Sequence, residues 1–501
     1  MPTFEKPVAA IDTNTAEFER LPLVKPTGFR EYDARWLFEK ELNLKGVQAV
    51  GLGIGTLLGE LGVDRHIVVG HDFRSYSQSI KLALTSGLLA AGCRVRDIGL
   101  AVTPMAYFAQ FDLDCPAVAM VTASHNDNGW TGIKMGADRP RTFGPEEIGR
   151  LKEIVLGAKF DMAGGGVLDP VHDMAERYMA DLVKGHLLSR PIRVVCACGN
   201  GTPSVFSPQA LRAIGADVIE LDCELDWTFP RYNPNPEDMQ MLHAIADKVR
   251  ESGAEIGLGF DGDGDRCGVV DNEGEEIFAD KIGVLIARDL ARRHKGATFI
   301  ADVKSTGLFV TDPELQAAGA RTDYWKTGHS YMKRRVNETG ALAGFEKSGH
   351  FFFNPPLGRG YDDGLISAIA VLEMLDRNPG RTVADLRRSL PRSWQSPTMS
   401  PHCADEVKYD VVERAVAHFS ARAEKGETIA GQKVRDLVTV NGIRITLEDG
   451  SWGLVRASSN KPELVVVVES PVSEEGMRAI FAEIDGYLSA QPEVGEYNQK
   501  I

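Results

Sequence analysis

Apolar and polar positions along the chain keep two rhythms. Short runs rich in β-branched and small apolar residues, HIVVGHD at 66–72, RVVCACGNG at 193–201 and TFIADVKS at 298–305, have the length and composition of buried strands. Each leads through a loop bearing glycine or serine into a helical pattern, around 82–91, 208–214 and 313–318. Each helical pattern stops at a glycine, Gly92, Gly215 and Gly319. Glycine just past the last periodic residue is the expected helix stop, because it adopts the left-handed conformation without steric cost. A second β-rich run then follows, CRVRDIG at 93–99, ADVIEL at 216–221 and ARTDYW at 320–325. Strand, helix and strand in that order predict α/β layers with largely parallel pairing. The copies lie too far apart for a solenoid of roughly 20–50-residue repeats, so the pattern predicts three related α/β domains.

The tail has a different rhythm. A helical pattern at 407–423 is followed by the β runs RITL at 444–447 and LVVVVE at 464–469, then by a second helical pattern at 474–488. That reads as a C-terminal α+β domain. The expected linkers are AGGG at 163–166, VDNEG at 270–274, and the stretch from NPGR at 378–381 to PRSW at 391–394. The expected domains are 24–170, 171–273, 274–390 and 391–501, with the first 22 and last eight residues loosely held.

Composition narrows the function classes. In 501 residues, 43% are hydrophobic and 25% charged, as in ordinary globular proteins. Asp and Glu total 71 against 56 Lys and Arg, a formal net charge of −15. A whole-surface nucleic-acid binder has the opposite sign, and anionic membranes repel such a chain. We therefore expect neither partner. An anionic substrate needs one locally basic cleft. The seven cysteines are scattered, which argues against a disulfide framework. Cys196 and Cys198 read as buried strand residues, with no second Cys or His pair at zinc-ligand spacing. No signal peptide and no run of about 18 apolar residues is evident, so the expected location is the cytoplasm.

Four loops carry the candidate chemistry. In FDGDGDR at 260–266, Asp261, Asp263 and Asp265 follow the strand-like IGLGF at 256–260. Three adjacent carboxylates repel one another, and a hard divalent cation, Mg²⁺ or Ca²⁺, removes that cost. An EF-hand needs glycine at loop position 6 and glutamate at position 12, where Arg266 and Asn272 stand. A solvated acidic turn is the plainer alternative. In VTASHNDNGWTGIK at 121–134, Ser124 and His125 are adjacent, and no G-x-S-x-G elbow is present. A loop serine there could carry a phosphoryl group, with Lys134 neutralising charge or exchanging a proton, or the loop could be structural. GFEKSGH at 344–350 offers Glu346 and Ser348 to sugar hydroxyls. RASSNKP at 456–462 suits either a phosphate nest or a polar turn. Arg74 either joins the cleft or pairs with Asp72.

Together these loops resemble the α-D-phosphohexomutase superfamily, most closely its phosphomannomutase/phosphoglucomutase branch. The family's loops read T-A-S-H-N-P, D-G-D-x-D-R, G-E-x-S-G-H and R-x-S-N-T-x-P, and the likeness runs from Phe29 to Leu464. The resemblance implies three related mixed α/β domains plus a C-terminal α+β domain, heart-shaped around a central cleft. It implies that Ser124 is phosphorylated and that Asp261, Asp263, Asp265 and the phosphate on Ser124 hold one Mg²⁺. His125, Lys134 and Arg266 match its catalytic positions. Glu346, Ser348 and His350 match its sugar loop, and Arg456, Ser458, Ser459 and Asn460 its distal phosphate site. FREYDARW at 29–36 brings in Tyr32 and Arg35. DVKS at 302–305 and KTGHS at 326–330 bring in Lys304 and His329.

The implied activity is interconversion of hexose 1-phosphate and hexose 6-phosphate, of mannose, glucose or both, through phospho-Ser124. Hexose 1,6-bisphosphate is the implied intermediate and activator, and a monomer or weak dimer is expected. Phosphoglucosamine mutase and a non-catalytic divalent-metal-binding protein are the alternatives. Asp127 and Asn128 replace prolines of the family loop, which predicts a less rigid turn. Phe345 replaces a glycine, and Ser459 to Lys461 alter the phosphate loop.

Overall fold

The computed structural model describes residues 4–459 and 461–501. The chain divides into two compact units, Met1–Phe278 with Ser348–Ala384, and Ala279–Lys347 with Asp385–Ile501.

The first unit holds two sheets. Strands β1 (Ala34–Leu37), β2 (His66–His71), β3 (Arg94–Leu100), β4 (Ala117–Val121), β5 (Trp130–Gly136) and β6 (Val167–Pro170) are arranged β1-β5-β4-β2-β3-β6. Strands β7 (Arg193–Ala197), β8 (Asp217–Leu221), β9 (Ile256–Phe260), β10 (Cys267–Asp271) and β11 (Glu276–Ile277) are arranged β11-β10-β9-β7-β8. In the second unit, β12 (Thr298–Asp302) lies between β13 (Arg321–Trp325) and β14 (Ala343–Phe345). The short β15 (Phe351–Phe353) belongs to the first unit.

The repeat read from the sequence is present as one strand order used three times: β3-β2-β4, β8-β7-β9 and β13-β12-β14, with every one of these pairings parallel. In each copy the chain leaves the third strand into a loop that carries candidate chemistry: 122–129 after β4, 261–266 after β9, and 346–350 after β14. The first two loops turn back into antiparallel partners, β4 with β5 and β9 with β10. The third strand's fully buried run cannot tolerate polar side chains, so chemistry accumulates at its C-terminal end, where open α/β sheets place their sites.

The tail is the expected α+β domain. Strands β16 (Trp394–Gln395), β17 (Val434–Val438), β18 (Ile443–Leu447), β19 (Trp452–Ala457) and β20 (Leu464–Ser470) pair antiparallel in the order β16-β20-β19-β18-β17. Helices Lys408–Glu424 and Glu474–Leu488 cover it, and their apolar faces share a core with Ile443, Val455 and Val466. Its boundaries follow the apolar periodicity to within a residue.

Several local expectations are corrected. The first helix begins earlier than its apolar stripe, at Ser77, because Ser77 and the turn before it are held by Asp72. AGGG at 163–166 leads into β6, an edge strand that completes the first sheet at Pro170, with the Gly164 amide donating to Ala90. VDNEG at 270–274 is a tight hairpin between β10 and β11, where Asp271 accepts from the Glu273 and Glu275 amides. The N-terminal stretch is tied down: Val8 and Pro22 bond through their backbones, and Ala16–Arg20 is helical. At the other end, the Asn498 amide donates to Ser400.

In the second unit the α/β and α+β parts are joined by buried charge. Glu469, at the end of β20, accepts from Lys281 Nζ at 2.6 Å, from Trp452 Nε1 at 2.7 Å, and from the Gly307 amide at 2.7 Å. Thr306 and Ser393 hydroxyls complete its shell. Burial alone would raise its pKa, but the Lys281 charge and these donors hold it at about 2. Arg444 lies between the rings of Trp452 and Tyr324, at 3.6 and 3.9 Å, and donates to the Val303 and Ser305 carbonyls. Removing one partner of a buried ion pair leaves the other uncompensated. Glu469→Gln should therefore lower the unfolding free energy by about 3–5 kcal/mol, read from the denaturant midpoint at unchanged slope.

Candidate active site

The loop after β4 is built around a strained serine. Ser124 has φ +51, a left-handed conformation uncommon outside glycine. It is held there by its neighbours. The Ser124 amide donates to Thr122 Oγ1 at 2.9 Å, and the Ala123 amide to Asp72 Oδ2 at 3.2 Å. Arg74 donates to the carbonyls of Ser124, Asn126 and Asp127, at 3.0, 2.6 and 3.1 Å, while its Nε stands 3.4 Å from Asp72. Both readings of Arg74 thus hold at once: it pairs with Asp72 and clamps the serine loop. The missing prolines are replaced by side-chain bonds, Asp127 to Asn233, and Asn128 to the Trp227 carbonyl at 2.8 Å. The loop is pinned, not slack.

Ser124 Oγ is 3.2 Å from His125 Nδ1 and donates to Asp261 Oδ2 at 3.1 Å. Burial, followed by Arg266 and Arg35, pushes the His125 imidazole well below its usual pKa, so it is neutral at neutral pH. Arg35, on β1, pairs with Asp33 at 2.9 Å and reaches Asn126 Oδ1 at 3.2 Å. Tyr32, three residues before it, is buried.

The alternation of Asp and Gly in the loop after β9 has two separate causes. A Cβ on Gly262 would stand 2.6 Å from the Ser124 carbonyl oxygen, so only glycine permits the two loops to meet. Gly264 has φ +76, which turns the chain between Asp263 and Asp265. Asp261, Asp263 and Asp265 are fully buried, with one oxygen of each within 4.8 Å of the others. Lys134, on β5 and opposite Met120 of β4, places Nζ 2.8 Å from Asp263 Oδ2 and also bonds Asp265. Burial would lower the Lys134 pKa, but Asp263 and Asp265 raise it well above its usual value, so it is held as an ammonium. Arg266 donates from Nε to Asp261 Oδ2 at 3.0 Å. Even so, burial and the neighbouring Asp265 push Asp261 up to about 7. Asp263 Oδ1 has no hydrogen-bond partner among the described residues. A buried orphan oxygen and a carboxylate forced toward its acid form both mark a deficit of positive charge. The donor set is oxygen only. These residues fit a hard divalent cation.

Residues that sequence reasoning passed over complete this half. Thr103 donates from Oγ1 to Asp263 Oδ2 at 2.5 Å and from its amide to the Asp263 carbonyl at 2.8 Å. The Thr202 amide donates to the Gly262 carbonyl at 3.2 Å. Thr103 opens the helix Thr103–Asp112 and Thr202 opens a short 3₁₀ turn, Thr202–Val205, at sequence distances from the acidic loop that no local pattern spans. His350 stands 3.4 Å from Asp265 Oδ1 and 3.9 Å from Asp362, with Nδ1 3.0 Å from Ser348 Oγ. The Ser348 carbonyl lies 3.5 Å from Arg266 Nη1. Ser348 and His350 therefore belong with the acidic loop in the first unit.

The second unit holds the remaining candidates. Glu346 Oε1 accepts from the Gly328 amide at 2.6 Å, beside the buried His329 that opens the helix His329–Thr339. Asp302 accepts from the Lys347 amide at 3.1 Å, from Thr327 Oγ1 at 2.8 Å and from Ser305 Oγ, and so ties the loops after β12, β13 and β14 together, with Lys304 partly exposed in the first. Phe345, the substitution for glycine, is a core residue stacked on Phe309 at 5.4 Å, in space that Gly283 leaves open. On β19, Arg456 donates to Ser459 Oγ at 3.1 Å, and its buried Nε has no partner among the described residues. Ser458 Oγ accepts from the Lys461 amide at 3.3 Å. Asn460 lies outside the described residues.

Comparison with known proteins agrees with this layout. The chain matches phosphoglucomutase/phosphomannomutase α/β/α domain I at 26–162, domain II at 176–274, domain III at 278–393 and the C-terminal domain at 406–486. The chain belongs to the phosphoglucomutase/phosphomannomutase family. It is 34% identical to a phosphomannomutase/phosphoglucomutase of Pseudomonas syringae pv. tomato, over 91% of this chain and 93% of that one. It is also 34% identical to a phosphoglucomutase of Neisseria gonorrhoeae, over 88% and 92%. A crystal structure of a phosphoglucomutase/phosphomannomutase family protein from Burkholderia thailandensis superposes with TM-score 0.82 at 29% identity, covering 94% of this chain and 99% of that one. The family assignment and the class of fold read from the sequence are thereby borne out. Among the described residues, no helix is long and apolar enough to cross a membrane.

Two measurements test the geometry. In Gly262→Ala the new methyl must push the Ser124 backbone away, so turnover should fall at least about tenfold while the far-UV spectrum is unchanged; a displacement of about 1 Å at a reacting group costs on the order of 10²-fold. Saturating Mg²⁺ at about 100 times Kd should stabilise the protein by about 2.7 kcal/mol. Asp263→Asn should abolish that shift in a thermal melt.

Proposed function

We propose that this chain interconverts hexose 1-phosphate and hexose 6-phosphate, of glucose, mannose or both, by passing a phosphoryl group through Ser124. The observation that carries this reading is the buried Ser124 hydroxyl, held in a strained backbone against three buried carboxylates. Phosphoserine breaks its Oγ–P bond as the free sugar hydroxyl forms a new O–P bond, which yields a hexose 1,6-bisphosphate. The hydroxyl proton passes to a base of the site. The intermediate then turns, and its other phosphoryl group returns to Ser124 Oγ.

Asp261, Asp263 and Asp265, with the phosphate on Ser124, would hold one Mg²⁺, which when bound neutralises charge on the transferring group. His125, neutral and beside Ser124 Oγ, is suited to accept and return the proton. Lys134 and Arg266 supply fixed positive charge at the carboxylates, and Arg74 and Arg35 hold the serine loop in shape. His350 orients Asp265. Glu346 and His329, with Ser348 and Lys304, serve as generic contacts for sugar hydroxyls, which is what a substrate that must bind in two orientations requires. Arg456, whose buried Nε has no partner among the described residues, and Ser458 and Ser459 grip the phosphate that is not reacting.

Ser124→Ala should lose mutase turnover by at least about 10³-fold, as expected for an interaction made only along the reaction path. Its melting temperature should not change, and it should show no gain of one phosphoryl group in intact mass after incubation with glucose 1,6-bisphosphate. Retained turnover would sink the reading. Arg456→Met should raise KM for either sugar phosphate about 10–150-fold, from about 1.5–3 kcal/mol for a lost charged hydrogen bond. Side-by-side rates with glucose 1-phosphate, mannose 1-phosphate and glucosamine 1-phosphate separate this activity from a phosphoglucosamine mutase.

A further inference from the structure

Three cysteines of the first unit converge at the C-terminal end of β7. Cys196 and Cys198 are two residues apart, so the strand period turns both side chains to one face, and their Sγ atoms are 3.9 Å apart. Strand β8 runs parallel beside β7, with Cys196 opposite Glu220 and Ala197 opposite Leu221. The chain leaving β8 brings Cys223 to the pair, and all three sulfurs lie within 4.8 Å of one another. Cys196 and Cys198 are fully buried, Cys223 is partly exposed, and none forms a disulfide. Hydrogen bonds from Cys196 and Cys198 lower the Cys223 thiol, while burial raises the other two, so the cluster already favours one shared thiolate.

We propose that Cys196, Cys198 and Cys223 form a binding site for a thiophilic cation of the zinc(II) kind. Two sulfurs each about 2.3 Å from one tetrahedral ion stand about 3.8 Å apart, which is the spacing Cys196 and Cys198 already have. Three protein sulfurs leave one coordination position open, on the side where Cys223 meets solvent, for a water molecule. Binding exchanges the remaining thiol protons for the metal, and so tightens as pH rises. The sulfur set and the oxygen set of the acidic loop differ in softness, so the two sites sort hard and soft ions between them. They are also linked in the chain: Cys198 leads through Gly199, Asn200 and Gly201 to Thr202, which bonds Gly262 of the acidic loop. The inference stands apart from the mutase reading, since neither needs the other to be correct.

The test is a cadmium titration of the full-length protein, reduced with a phosphine and kept in excess Mg²⁺ so that the carboxylates are occupied. Thiolate-to-cadmium charge transfer in the ultraviolet reports only sulfur ligation. The expected result is saturation at one Cd²⁺ per chain, reversed by competing Zn²⁺. Cys198→Ala should abolish it, Cys223→Ser should weaken it at least about tenfold, and Cys403→Ala should leave it unchanged. Cys223 is partly exposed, so its variant carries the test if Cys198→Ala does not fold. Absence of the absorption, its persistence in both variants, or loss of the thiols to a disulfide without metal uptake overturns the proposal.

Discussion

Mutual repulsion among Asp261, Asp263 and Asp265 is the constraint around which the first unit is arranged. All three carboxylates are buried, and each nearby feature offsets part of that cost. Lys134 reaches them from β5, and Arg266 folds back onto Asp261. Thr103 and His350 approach from other strand ends. The compensation is incomplete, since Asp261 is still pushed up to about 7. A site left short of positive charge by its own protein suits a cation. The net charge of −15 belongs to the whole chain and does not describe this locality. The local sign is set by which charged side chains the sheets bring to the ends of β4 and β9.

The threefold strand order explains why the chemistry falls where it does. The serine loop, the acidic loop and the loop at 346–350 are the same connection, taken after the same strand in three copies of one sheet pattern. A copied scaffold supplies three equivalent loops, each free to specialise because the buried strand before it carries the stability. Specialisation shows in the glycines. Gly262 is needed for contact with the Ser124 backbone and Gly264 for a left-handed turn. The departures from the family pattern are absorbed in the same local way, Asp127 and Asn128 by hydrogen bonds to a neighbouring loop, and Phe345 by the space above Gly283. In the second unit, Glu469 and Arg444 join the α/β and α+β parts through desolvated charge, so that Arg456 on β19 and Glu346 after β14 stand on one compact support.

The sequence by itself determined the class of fold, the three related α/β domains and the α+β tail, and it singled out the candidate loops. These are all local properties. Strand and helix periodicity, a glycine stop, and an Asp-Gly alternation are each written within about ten residues. The helix at Glu474–Leu488 was legible to the residue for that reason. What a glycine run or an N-E-G turn does is not written locally, because it looks the same whether it ends a domain or closes a hairpin inside one.

Only the tertiary structure decided who meets whom. Thr103 joins Asp263 across 160 residues of sequence, and Lys134 joins it across 129. Arg74 clamps the serine loop while also pairing with Asp72, a double role that sequence spacing presents as a choice. Cys223 reaches Cys196 and Cys198 only because β8 lies beside β7. Contacts of this kind depend on strand order and register, which long-range packing sets. The sequence named the candidate groups. Burial and juxtaposition set their charge states, because a carboxylate, an imidazole or a thiol takes its pKa from its surroundings.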